Sequence, residues 1–156
     1  MPNPQSHILW LDMVNSVLLS KQYRLDNYLE LISSYYSIVT AIVDRYQGQI
    51  LSSLGDGLTV YHTDNTGERL INIFFDVKKQ VEDKLHVTIT GGMNYGPYRL
   101  VYKKIIHAKH QTPLLVGNVV EAYRIEKLCI KLNSSLLLTH SSYEKLNDEI
   151  LKGKFK

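Results

Sequence analysis

One stretch limits the folds open to this chain more than any other. Leu25, Leu29, Ile32, Tyr36, Val39, Ile42, Val43 and Tyr46 recur at intervals of three and four, the period of a long helix that buries one face. Gly48 is placed to end it. Two strand-like runs come next, Gln49 to Leu54 and Leu58 to His62, separated only by Gly55-Asp56-Gly57. Glycines around an Asp supply the positive φ angles of a tight hairpin. A helix that leads straight into a hairpin needs further strands to complete a sheet, and the flanks supply them.

Upstream, His7 to Asp12 is an apolar run closed by a carboxylate, and it reads as a central strand. The residues between it and the long helix are polar and poorly periodic. Downstream, Asp64 to Gly67 is a loop, and Leu70, Ile71, Phe74, Phe75, Val81 and Leu85 mark a second helix. Val87 to Met93 reads as a strand, Gly91, Gly92 and Gly96-Pro97 punctuate the segment around its end, and Arg99 to Tyr102 reads as a further strand. Lys103 to Thr112 is a basic loop containing His107 and His110. Gly117 to Leu132 is helical by period, Ser135 to Thr139 is a strand, and Ser141 to Leu151 is a last helix with serine at its cap. The fold class is α+β: a ferredoxin-like βαββαβ palm core, an antiparallel sheet with helices on one face, extended by an additional helix–strand–helix. One domain spans residues 7–154, preceded by a flexible N-terminus at 1–6.

With 156 residues and 44% apolar side chains the chain can build one full core. Its 18 basic and 15 acidic residues leave +3, compatible with an anionic ligand, and no charge run is long enough for a nucleic-acid arm, so nucleic acid is an unlikely partner. The single cysteine, Cys129, reads as a core filler and points to a reducing compartment. With neither a signal peptide nor an apolar run of membrane-spanning length, the expectation is a cytoplasmic protein with no membrane partner.

The palm topology would bring Asp12, at the end of a central strand, beside Asp56, at the hairpin tip. Two close carboxylates repel unless a cation lies between them. Oxygen-only ligands suit Mg²⁺ or Mn²⁺, which keep water and accept the phosphates of a nucleotide. Turn chemistry accounts for Asp56 equally well, and an Asp at a strand end can serve as a helix cap.

From about His7 to Lys154 the chain resembles the class III adenylate and guanylate cyclases. Ile8-Leu9-Trp10-Leu11-Asp12-Met13-Val14 is similar to the family's opening strand, whose Asp binds metal. Tyr46-Gln47-Gly48-Gln49-Ile50-Leu51-Ser52-Ser53-Leu54-Gly55-Asp56-Gly57-Leu58 resembles the helix end and the hairpin with the second metal Asp. Val87 to Pro97 is similar to the strand ending in a Gly-Pro turn, Gly117 to Leu128 to the helix bearing the transition-state residues, and Leu136 to Leu146 to the strand and helix after it. The order and spacing of these pieces together carry the resemblance.

The resemblance implies a nucleotidyl cyclase: the 3′-hydroxyl of a nucleoside triphosphate attacks its own α-phosphate and pyrophosphate leaves. It implies two Mg²⁺ or Mn²⁺ ions per site on Asp12 and Asp56, and backbone N–H groups of Met13, Val14, Asn15, Ser16 and Val17 around the phosphates. It also implies a head-to-tail homodimer with sites at the shared interface. Arg124 matches the family's transition-state Arg, but Val120 stands where its Asn is expected, with Asn118 or Glu121 as out-of-register substitutes. Lys152, in Leu151-Lys152-Gly153-Lys154, matches a Lys that reaches the triphosphate, against the alternative of a solvated tail. Ser52 and Leu114 stand where the family carries a Lys–Asp or Lys–Thr pair for adenine, so the base is open. Two alternatives accompany the cyclase: a degenerate cyclase-like domain that binds nucleotide or regulates, and a palm-type signalling polymerase making cyclic di- or oligonucleotides.

Overall fold

The structure, a computed structural model, describes residues 4–62, 67–104 and 111–155, and within these the side chains of 52–54, 100–104 and 111–116 are outside the described set. The elements run β1 (Gln5–Met13), α1 (Ser16–Gln22), α2 (Leu25–Arg45), β2 (Gln49–Leu54), β3 (Gly57–Tyr61), α3 (Glu68–Leu85), β4 (Ile89–Lys104), β5 (Gln111–Gly117), α4 (Val119–Glu126), β6 (Leu136–Leu138), α5 (His140–Glu144) and α6 (Glu149–Lys152). The sheet order is β2-β3-β1-β4-β5, with β6 added parallel to the first part of β4. β1 is therefore central, antiparallel to β3 on one side and β4 on the other.

Side chains alternate across a strand, and β1 uses both faces. Leu9, Leu11 and Met13 join Tyr35, Val39, Ile42 and Val43 of α2 and Leu70, Phe74, Val77 and Val81 of α3 in the main core. Ile8, Trp10 and Asp12 point the other way, where Ile8 packs with Leu51 and Tyr61 and the Trp10 ring meets Tyr123 of α4 edge-on at 5.3 Å. The expectation of helices on one face holds for α2 and α3 alone, since α4 covers the opposite face. Gly92 permits that contact: a Cβ there would lie 2.0 Å from the Ala122 carbonyl oxygen. The neighbouring Gly91 faces Phe74 of α3 instead.

Several boundaries differ from the sequence reading, each for a local reason. β1 begins at Gln5, and the Tyr98 N–H donates to the Pro4 carbonyl at 3.0 Å, so residues 4–6 belong to the sheet. The stretch after Asp12 contains α1, which buries no residue and so leaves no period to read. The two strands expected within 87–102 are one, and Gly96-Pro97 marks an exchange of partners: Pro97 pairs with Gln5, Tyr98 with Gly117. Lys103, Lys104, Gln111 and Thr112 belong to the β4–β5 ladder rather than a loop, and His107 and His110 lie outside the described residues. The helix expected to run to Leu132 ends at Glu126, and turns succeed it in which Leu128, Ile130 and Leu132 are exposed, so their spacing does not mark a buried face. The last helix is two short ones, capped by the side chains of Thr139 and Asp148. Among the described residues no helix is long and apolar enough to cross a membrane.

Candidate active site

Asp12 lies next to the end of β1, on the α4 face, and Asp56 is at the β2–β3 turn. The hairpin tip is held down by Tyr36 of α2, whose hydroxyl donates to the Gly55 carbonyl. The two glycines have different tasks. Gly55 turns the chain at φ 64, whereas a Cβ on Gly57 would strike the Trp10 ring at 2.3 Å. The hairpin thus seats on β1 and brings the Asp56 carboxyl close enough to Asp12 to raise its pKa. Burial pushes Asp12 up to about 6. Lys127 pulls against the rise and the facing Asp56 adds to it. Asp56 Oδ2 is buried with no hydrogen-bond partner. Asp12 caps no helix: the N-cap of α1 is Asn15, and Asp12 Oδ1 accepts the adjacent Met13 N–H, at 3.1 Å.

Beside the pair opens a cavity of about 330 Å³ lined by Asp12, the Met13–Val17 turn, Thr90, Glu126, Lys127 and Ile130. Asn15 takes the left-handed conformation, φ 60, that Asn tolerates. Its carbonyl accepts from Leu18 and Leu19, both at 2.9 Å, which starts α1. The Val14 N–H is spent on the Thr88 carbonyl, 2.9 Å. Ser16 and Val17, in the first turn of α1, have no intrahelical partner for theirs. Lys127 closes the cavity. Its ammonium donates to Asp12 Oδ2, lies 3.1 Å from Glu126 Oε2 and sits 5.0 Å from the centre of the Tyr123 ring. Burial opposes its charge, but the hydrogen bond to Asp12 and the ion pair with Glu126 outweigh that and raise its pKa. Glu126 is itself buried and accepts from the Thr90 hydroxyl at 2.7 Å.

A cation between the two carboxylates would satisfy both the orphaned buried oxygen of Asp56 and the carboxyl of Asp12 that Asp56 helps to raise. The donor set is oxygen only, which fits Mg²⁺ or Mn²⁺. Among the described residues no group of three or more His, Cys, Asp or Glu is placed to hold a metal ion, so a cation on this pair would need further ligands from outside the protein.

No protein-family model and no curated protein matches the sequence. Solved structures do. A bacterial light-regulated adenylyl cyclase superposes with a TM-score of 0.83 at 20% identity over 96% of this chain and 48% of that one, so the chain spans about half of its length. A second structure of a bacterial light-regulated adenylyl cyclase gives 0.81 at 21% identity, covering 92% and 80%. The guanylate cyclase domain of RhGC from Catenaria anguillulae, in complex with GTP, gives 0.77 at 17%, covering 93% and 83%. The protein has the class III cyclase fold. Asp12 and Asp56 therefore meet on a cyclase-fold scaffold, and the remaining expected site residues can be located on it.

Arg124 of the cyclase-fold helix α4 is turned to solvent, where it pairs with Glu121 at 3.3 Å. Neither proposed substitute for the missing amide stands free: Glu121 holds Arg124, and the Asn118 side chain is buried, donating to the Ser6 and Gly96 carbonyls. Val120 is 47% exposed. Lys152 is not part of a solvated tail. It pairs with Glu149 at 3.1 Å with its side chain 18% exposed, and α6 is tied to the start of α3 through Glu68, which accepts from the Asn147 and Asp148 N–H groups. α3 reaches the Asp12 end of the sheet only at its C-terminus, about 27 Å along its axis from Glu68. Lys152 is therefore remote from Asp12 of its own chain, and Arg124, in the helix that leads to Lys127, faces solvent. Ser52 pairs with Thr59 and Leu114 with Val101 along the ladders, and both side chains lie outside the described residues. Lys127 and Glu126 are the site residues that sequence reading missed. Taking α4 from Arg124 as the family register, the next charged pair falls on Glu126-Lys127, and only the packing of α4 over Gly92 directs it at Asp12.

Proposed function

We propose that the protein is a nucleotidyl cyclase, converting a nucleoside triphosphate to a 3′,5′-cyclic nucleotide and pyrophosphate. The observation that carries this reading is the facing pair Asp12 and Asp56, with Asp56 Oδ2 buried and unsatisfied, on a cyclase fold. Divalent cations held by the two carboxylates would lower the pKa of the 3′-hydroxyl and neutralise the charge that builds on pyrophosphate. The chain's own residues do the rest. Asp12 and Asp56 fix where the reacting phosphate stands, and the first-turn N–H groups of Ser16 and Val17 are available to its oxygens. The 3′-hydroxyl loses its proton to solvent, its oxygen bonds the α-phosphorus, and the bond from that phosphorus to the pyrophosphate oxygen breaks.

In the head-to-tail homodimer that the resemblance implies, Arg124 and Lys152 of one copy serve the carboxylates of the other. The solvent-facing Arg124 suits that role, and α4 also exposes Val120 and Tyr123, at 47% and 43%, to a second copy. Ser52 and Leu114 cannot make a Lys–Asp hydrogen-bonded pair, so the test uses all four triphosphates with Mn²⁺ and looks for cyclic product by mass spectrometry, with Asp56→Ala as control. Absence of product from every base sinks the reading. Val120, apolar where the family carries an amide, favours a second reading, a domain that binds nucleotide without turnover. Tight binding without product would select it.

A further inference from the structure

The cavity beside Asp12 holds a cation already. Lys127 Nζ donates to Asp12 Oδ2, is 3.1 Å from Glu126 Oε2, and is about half exposed. With Asp12 and the Met13–Val17 turn it lines a space of about 330 Å³. Glu126 is anchored by Thr90 and is one residue away in the chain, so it tethers the ammonium within the cavity whether or not Asp12 is available. Asp12 cannot give the same oxygen to Lys127 and to a divalent ion at full strength, because an ammonium at hydrogen-bond distance repels the incoming charge. A lysine stem has the length and freedom to move a few ångströms toward a phosphate without leaving the site.

Resting on the cyclase reading of this site, we propose that Lys127 is its third cation: it stands in for metal on Asp12 in the ligand-free protein and transfers to the triphosphate when metal takes the carboxylates. Lys127 is thus a substrate-binding residue supplied by the same chain as Asp12. It makes metal and triphosphate binding cooperative, since each is favoured once the ammonium has left Asp12 for phosphate oxygens. The coupling is reciprocal by linkage.

The test measures binding, without turnover. Mn²⁺ affinity is taken by electron paramagnetic resonance, and binding of the manganese complex of tripolyphosphate by calorimetry, for the wild type, Lys127→Met, Lys127→Arg and Asp56→Asn. The expected result for Lys127→Met is Mn²⁺ binding about tenfold tighter and tripolyphosphate binding about tenfold weaker. Lys127→Arg keeps the charge and stays close to the wild type in both. Lys127→Gln replaces the methionine variant if that one does not fold, with the same expectation. Loss of Mn²⁺ in Asp56→Asn with both affinities unchanged in Lys127→Met overturns the role of Lys127 and leaves the metal site standing. Absence of Mn²⁺ binding in every protein, wild type included, overturns both.

Discussion

Asp56→Asn examines the carboxylate pair with no nucleotide present. Asn serves a tip between Gly55 and Gly57 as well as Asp does, so the change removes a charge and little else. In the metal-free protein Asp12 is raised from the ordinary 3.8 to about 6, by burial first, with Lys127 opposing and Asp56 adding. A carboxyl raised by folding contributes stability that is complete below its unfolded value and lost as the pH climbs through about 6. The interval from 3.8 to about 6 corresponds to roughly 3 kcal/mol. Burial is the leading cause, so neutralising Asp56 recovers a minor share, roughly 1 kcal/mol. For a chain of this size that is about 2–4 °C in melting temperature.

Thermal melts monitored by circular dichroism in EDTA measure it. At pH 8 Asp56→Asn melts about 2–4 °C above the wild type. At pH 4, where Asp12 is protonated in both proteins, the difference vanishes. Added Mn²⁺ raises the wild type and leaves the variant where it was, so the order reverses. A variant less stable than the wild type at pH 8, or an equal gain at both pH values, would refute the argument that the two carboxyls strain each other.

The packing and the charges set three further outcomes. Arg124→Ala lowers turnover at least about 100-fold while moving the melting temperature little, because its contact within the chain is an exposed ion pair with Glu121; kcat and a melt on one preparation separate the two. Gly92→Ala places a methyl 2.0 Å from the Ala122 carbonyl, which lifts α4 off the sheet and costs about 3 kcal/mol or more; urea denaturation reads the loss. Cys129 is buried, its thiol pushed up to about 11 chiefly by burial, so a disulfide reagent at pH 8 modifies it only at the rate of unfolding, and fast labelling of the native protein would contradict that burial.

The sequence carried the fold wherever a buried face repeats. α2, α3 and the β2–β3 hairpin were legible because Val39, Ile42 and Val43, or Leu70, Phe74 and Val81, recur at the helical period and are buried. α1 was not, because none of its residues is buried, and the end of α4 was misplaced because Leu128, Ile130 and Leu132 keep an apolar spacing while exposed. The long β4 was divided because Gly96-Pro97 reads as a turn, whereas its function is to hand the strand from β1 to β5, a change of neighbour that leaves no mark in local composition.

The site divides along the same line. Asp12 and Asp56 sit at ends of elements whose pairing is fixed by pattern, so their meeting comes from topology. Lys127 sits in the turn beyond α4, and its position depends on how closely that helix approaches the sheet. That approach is set by the missing side chain of Gly92 and by the Trp10–Tyr123 contact, two features from different strands that no local pattern links to a lysine far along the chain. The carboxylates could be found by reading along the sequence. The ammonium that meets Asp12 beside the Met13–Val17 turn could be found only across the sheet, and for that reason it is the sharper test of the site: a pair of acids at a hairpin has a conformational explanation, whereas a lysine held by Asp12 and Glu126 close to an unsatisfied Asp56 has an electrostatic one.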